Sequence, residues 1–150
     1  MRLLRDRSFA LLVCGQAISG IGSWAALVAL WGFAAYRFDA GAGDIALLAA
    51  SWALPAALLG PITGVPIDRI GPRRVLIASQ LLGAGAALAL LTADSYGDLA
   101  AIGLLHGLAK AFSMPALDAL PPRLVDDRDL LTANALLGSA IQSSDRKSVV

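Results

Sequence analysis

Asp68, Arg69, Arg73 and Arg74 place one carboxylate and three guanidiniums in the stretch GVPIDRIGPRR, residues 64–74. Such a set makes and breaks ion pairs and charge-assisted hydrogen bonds. It contains no nucleophile paired with a base, so its chemistry is recognition rather than bond making. A second set lies further on. His106 and Lys110 are four apart and share a helix face, and Asp118 follows near the end of the same apolar run. Gln16 is the one strongly polar side chain of the first apolar run. The sequence has no metal-ligand spacing, no nucleophile–base pair and no glycine-rich phosphate loop. No enzyme, catalytic residue, metal or cofactor is expected, and no self-contained ATP-driven pump.

The elements that must position these groups are membrane helices. The chain is 57% hydrophobic and 15% charged, against about 45–50% and about 25% in a soluble domain. Several segments must therefore leave water altogether. Net charge is +1, which suggests no nucleic-acid partner. Apolar runs predict helices at about 9–36, 45–67, 73–92 and 99–120, each near or beyond the ~20 residues that span a bilayer. The third begins early enough to take Arg73 and Arg74 into its first turn, reaching back to the surface. A fifth helix starts at Leu130, with Asp129 as N-cap, and stops at Ser144, too soon to span. The fold class is all-α, a polytopic membrane helical bundle.

Smaller features follow from the same reading. Gly15, Ser19 and Ser23 form a small-residue stripe suited to close helix approach. Pro55, Pro61 and Pro66 kink the second helix. Cys14 reads as a buried, inert thiol. Gln16 either makes an interhelical hydrogen bond or lines a substrate path. Lys110 lies some ten residues from either end of its run, roughly 15 Å deep. It either faces a cavity, binding an anionic substrate or taking part in proton coupling, or it snorkels from a run whose true ends lie elsewhere. The N-terminus and the 68–74 and 121–129 connections hold eight Lys and Arg, and the 37–44 and 93–98 connections hold one. That asymmetry puts the N-terminus in the cytoplasm of a multi-pass protein of the inner (cytoplasmic) cell membrane.

Gly64-x-x-x-Asp68-Arg69-x-Gly71-x-Arg73-Arg74 resembles the signature loop between helices two and three of major facilitator superfamily transporters. It departs from that signature at Pro66 and Pro72. The stretch PALDALPPRLVDDRDLLTANALLGS resembles the end of helix four and start of helix five in the branch of enterobactin and macrolide exporters. Physically, Gly71 permits a sharp turn, Gly64 close helix approach, and Asp68 can accept hydrogen bonds from the start of the next helix. The resemblance implies that Asp68, Arg69, Arg73 and Arg74 form a latch that closes in one state of the carrier and opens in the other. Asp118 is the candidate partner. The family's fourth helix usually has an Arg four residues before a Gly. Gly103 stands there, before Gly107, so proton coupling through that Arg does not carry over.

The expectation is a secondary transporter that exports drug-like or siderophore-like small molecules by alternating access. The chain would hold the first four transmembrane helices and the start of the fifth of a 12-helix carrier. Residues 145–150, DRKSVV, read as a non-native tail. Its partners would be a small-molecule substrate, the lipid bilayer and a missing C-terminal half. The rival reading is a small four-helix membrane scaffold or assembly protein without transport activity.

Overall fold

In the computed structural model the described residues are 6–142. Arg2, Arg5 and the tail at 145–150 lie outside them, as do Ser143 and Ser144 at the end of the expected fifth helix. The helices are α1 Arg7–Arg37, α2 Ala42–Leu59, α3 Gly64–Ile70, α4 Pro72–Ala89, α5 Tyr96–Asp118, α6 Pro121–Leu124 and α7 Leu130–Gln142. Single 3-10 turns occupy Gly60–Ile62, Leu90–Thr92 and Asp127–Asp129. Among the described residues there is no strand. Four segments are long and apolar enough to cross a membrane: Arg7–Arg37, Ala42–Ile62, Pro72–Thr92 and Tyr96–Asp118. α1 has 31 residues and is roughly 46 Å long, beyond the ~30 Å hydrocarbon core, so it tilts or its ends stand in the interface.

Two expectations about the second helix need correction. It is not one run from 45 to 67. It breaks after Leu59 into a 3-10 turn and restarts as α3. The prolines explain the break. Pro61 sits in the first turn of the 3-10 segment and Pro66 in the first turn of α3, where a missing N–H leaves no hydrogen bond unmade. Only Pro55 is interior; it is buried and frees the carbonyl of Ser51. The second correction concerns 68–74, which is not a loop. α3 runs to Ile70 and α4 starts at Pro72, leaving Gly71 as the single residue between them.

The chain forms two compact units. One comprises residues up to Trp24 together with those from Asp118 onward. Here Asp6 caps α1, its carboxylate accepting from Ser8 N at 2.7 Å and Phe9 N at 3.2 Å. The 121–129 connection contains α6 and a 3-10 turn; Pro121 is fully buried, and Ala133 and Leu137 are buried on α7. A polar cleft of about 740 Å³ is lined by Asp6, Arg123, Asp126, Arg128 and Asp129, among others. Cys14 is exposed on α1 rather than buried, because the described residues place nothing over that face.

The other unit is Ala25–Leu117. Leu30, Ala34, Leu48, Leu90, Leu99 and Ile102 form its buried core, drawn from α1, α2, the turn after α4, and α5. α5 is the inner helix: 50% of its apolar window is buried, against 17% and 28% for the Ala42–Ile62 and Pro72–Thr92 segments. Hydroxyls within the apolar helices satisfy themselves. Ser51 Oγ donates to Leu48 O at 2.7 Å, Ser79 Oγ to Leu76 O at 2.9 Å and Ser113 Oγ to Lys110 O at 3.3 Å. In a medium without water each would otherwise cost several kcal/mol. Among the described residues no buried side-chain polar atom lacks a partner.

Candidate functional site

Gly71 shapes the first candidate site. It has φ +89° and ψ 146°, a region glycine enters freely and other residues only with strain. Pro72 follows at the first position of α4, and a residue before proline is barred from the helical region. One glycine and one proline thus reverse the chain without a loop. Asp68 and Arg69 lie in the last turn of α3, Arg73 and Arg74 in the first turn of α4, and all four are exposed.

Two of the physical reasons offered for this stretch find no contact among the described residues. No side chain caps α4, whose N-cap is Gly71, so Asp68 does not accept from the start of that helix. Gly64 has open space where a Cβ would go, so no described residue presses on it. Within residues 25–117 the four charges form no ion pair. Arg73 and Arg74 stand at a helix N-terminus, the end where the macrodipole disfavours cations. Helix stability therefore does not account for them. Asp118 is the last residue of α5 and is exposed; it belongs to the unit that also holds Gln16. Gln16 is buried at 9% exposure, and it is not a free side chain.

The second candidate site lies on α5. His106 is buried, at 4% exposure, and its imidazole stacks on Trp52 of α2 with ring centroids 4.3 Å apart and planes 25° from parallel. Lys110 is half-buried one turn further along. α5 ends at Asp118 rather than at 120, so Lys110 is nearer that end than the sequence suggested, about 12 Å from it. Ser113 and Leu117 are buried on the same side. Leu104 and Leu108 fall roughly 160° around the helix and line an apolar groove of about 300 Å³ with Leu54, Pro55, Leu58 and Leu59. His106 and Lys110 therefore occupy the inward face and the leucines the outward one.

Gly103 and Gly107 bring α2 and α5 together there. A Cβ at Gly103 would stand 2.5 Å from Ser51 Oγ, and one at Gly107 would overlap the carbonyl of Trp52. Close approach was expected of the Gly15–Ser23 stripe, but Gly15 and Gly22 meet open space. A side chain at position 103 would have to displace the Ser51 hydroxyl. Trp52 was missed in the sequence. The available signal was the four-residue glycine spacing on α5, which marks a helix pressed against its neighbour.

The far end of this unit is tied by polar contacts. Arg37 Nη2 donates to Asp94 Oδ1 at 3.2 Å, and its guanidinium lies 5.9 and 5.7 Å from the Phe33 and Phe38 rings. The Tyr96 hydroxyl donates to the carbonyl of Asp44. Ser95 and Asp98 form a reciprocal cap on α5: Ser95 N donates to Asp98 Oδ2 at 2.9 Å and Asp98 N to Ser95 Oγ at 3.2 Å. Asp44 Oδ2 likewise accepts from Gly41 N at 3.0 Å at the start of α2.

Comparison with known proteins matches residues 12–144 to the Major Facilitator Superfamily. The chain is 31% identical over 108 residues to the uncharacterized MFS-type transporter YfiS of Bacillus subtilis (strain 168), an alignment covering 72% of this chain and 25% of that protein. It is 32% identical over 82 residues to macrolide efflux protein A of Enterococcus faecalis, covering 51% of this chain and 25% of the relative. The Streptococcus pyogenes protein of the same name gives 32% over 82 residues, covering 51% of this chain and 20% of its own length. The chain thus spans about a quarter or less of the relatives it matches. No solved structure matches.

Proposed function

This chain belongs to the Major Facilitator Superfamily, and from that premise we propose that the whole protein is a secondary transporter exporting drug-like or siderophore-like small molecules by alternating access. One observation carries the reading. Asp68, Arg69, Gly71, Arg73 and Arg74 meet at an exposed one-residue turn between two membrane-crossing segments, and Gly64 starts the short helix that leads into it. Charges held at such a joint, without partners in their own unit, are available to a partner that arrives only in one state. Asp118, exposed at the end of α5, is the candidate within this chain. The rest of the carrier, with its second half, supplies the opposing wall of a midplane substrate site. His106 and Lys110 are the candidates for the substrate path in their unit, and Gln16 is the candidate in its own. The efflux names of two relatives support the outward direction. The basic connections support a cytoplasmic N-terminus in an inner-membrane carrier.

The test is Asp68→Asn in the full-length protein. Efflux of a fluorescent drug from cells should be abolished, while the amount inserted in the membrane stays unchanged. Wild-type flux in that variant removes the latch.

A further inference from the structure

Among the described membrane-crossing segments Lys110 has no counter-charge at its depth. The segment Phe9–Tyr36 has no charged residue. In Ala42–Ile62, Pro72–Thr92 and Tyr96–Asp118 every other charged residue lies in a first or last turn. Asp118 is two helical turns away on the same helix. Yet Lys110 lies on the inward face of α5, in line with buried His106, Ser113 and Leu117, and not on the leucine face. A lysine whose only role is to reach the bilayer surface belongs on the lipid side. One on the inner face marks a cavity or a partner.

His106 adds a second group. Its imidazole stacks on the Trp52 indole with ring centroids 4.3 Å apart. The Gly107 seam fixes the Trp52 backbone against α5, so the indole holds the imidazole in one orientation. An imidazole N–H of His106, held in orientation, and an ammonium one turn along offer two-point donation to a carboxylate or sulfonate.

We propose that His106 and Lys110 form an anion subsite and that Trp52 is its positioning residue, so that the transported molecule is an organic anion. The proposal rests on the transporter reading for its word "transported" alone; the binding stands by itself.

The full-length protein is purified with Trp24→Phe and Trp31→Phe, leaving Trp52 as the reporter within the chain described here. Dansylglycine, a carboxylate, is expected to give saturable energy transfer from Trp52. Dansylcadaverine, a cation with the same fluorophore, is expected to give none. Lys110→Gln should weaken dansylglycine about tenfold or more, as for one lost charge-assisted hydrogen bond. Equal affinity in that variant, or equal binding of the cation, overturns the subsite. Equilibrium dialysis of dansylglycine then tests positioning: Trp52→Phe should stay within about twofold and Trp52→Ala should lose about tenfold. Unchanged binding by Trp52→Ala removes the positioning role. Dansylglycine flux in liposomes separates the two readings. Energy transfer without flux keeps the subsite and sinks transport. Flux indifferent to Lys110→Gln keeps transport and sinks the subsite.

Discussion

At the residue scale, three glycines with different surroundings do different work. Gly71 supplies a dihedral, Gly107 supplies the absence of a side chain, and Gly64 supplies neither within the described residues. Gly107→Ala must push α2 away from α5 or overlap the Trp52 carbonyl, so it should lower stability by about 1–3 kcal/mol. Gly64→Ala should stay within about 0.5 kcal/mol. Thermal unfolding of the two variants in detergent checks the contrast; equal midpoints would mean that the seam is not packed as described. The sequence carried the chemistry of Gly71 clearly, because a glycine before a proline between two helices has few conformations. It did not distinguish Gly64 from Gly107. Both are glycines in apolar runs, and what separates them is a neighbour more than 40 residues away in the chain.

At the element scale, the helices were legible and their joints were not. Long uncharged runs identify spanning segments because no other backbone arrangement satisfies its polar groups in lipid. Their ends depend on short-range chemistry that hydropathy does not weigh. α5 starts at Tyr96 rather than 99 because Ser95 and Asp98 cap it, and α2 starts at Ala42 rather than 45 because Asp44 reaches back to Gly41. A Ser-x-x-Asp spacing before an apolar run is a readable signal. Asp44 and Asp98 thus serve helix starts, and Asp94 one ion pair. Ser95→Ala should destabilise the protein by about 1 kcal/mol. Asp94→Ala should do less, since its pair with Arg37 is 87% exposed on the Asp94 side and water screens it. Unfolding midpoints for the two variants test that order.

At the scale of the whole molecule, a multi-pass protein sorts its connections by charge. Arg69, Arg73 and Arg74 gather at the Gly71 turn, whereas Arg37 is the lone cation of its two connections and is neutralised by Asp94. Arg69→Cys in a Cys14→Ser background should resist a membrane-impermeant thiol reagent added to intact cells, and Asp94→Cys should react with it. Labelling of position 69 from outside reverses the orientation. The membership of the chain in its superfamily was legible for a related reason. A charged joint between two greasy segments is rare, and its residue order was close enough to the family's to be matched. The Trp52–His106 stack was not legible, because two aromatic groups on different helices leave no mark of their pairing in a single sequence.

The Gly71 joint has a mechanical corollary. A connection of several residues would absorb a tilt of one rod before its neighbour felt it. A single residue offers two torsions and no slack. Any swing of the stub bearing Asp68 and Arg69 is therefore delivered at once to the rod bearing Arg73 and Arg74, and spectroscopic rulers fixed to both sides should trace a single shared hinge coordinate.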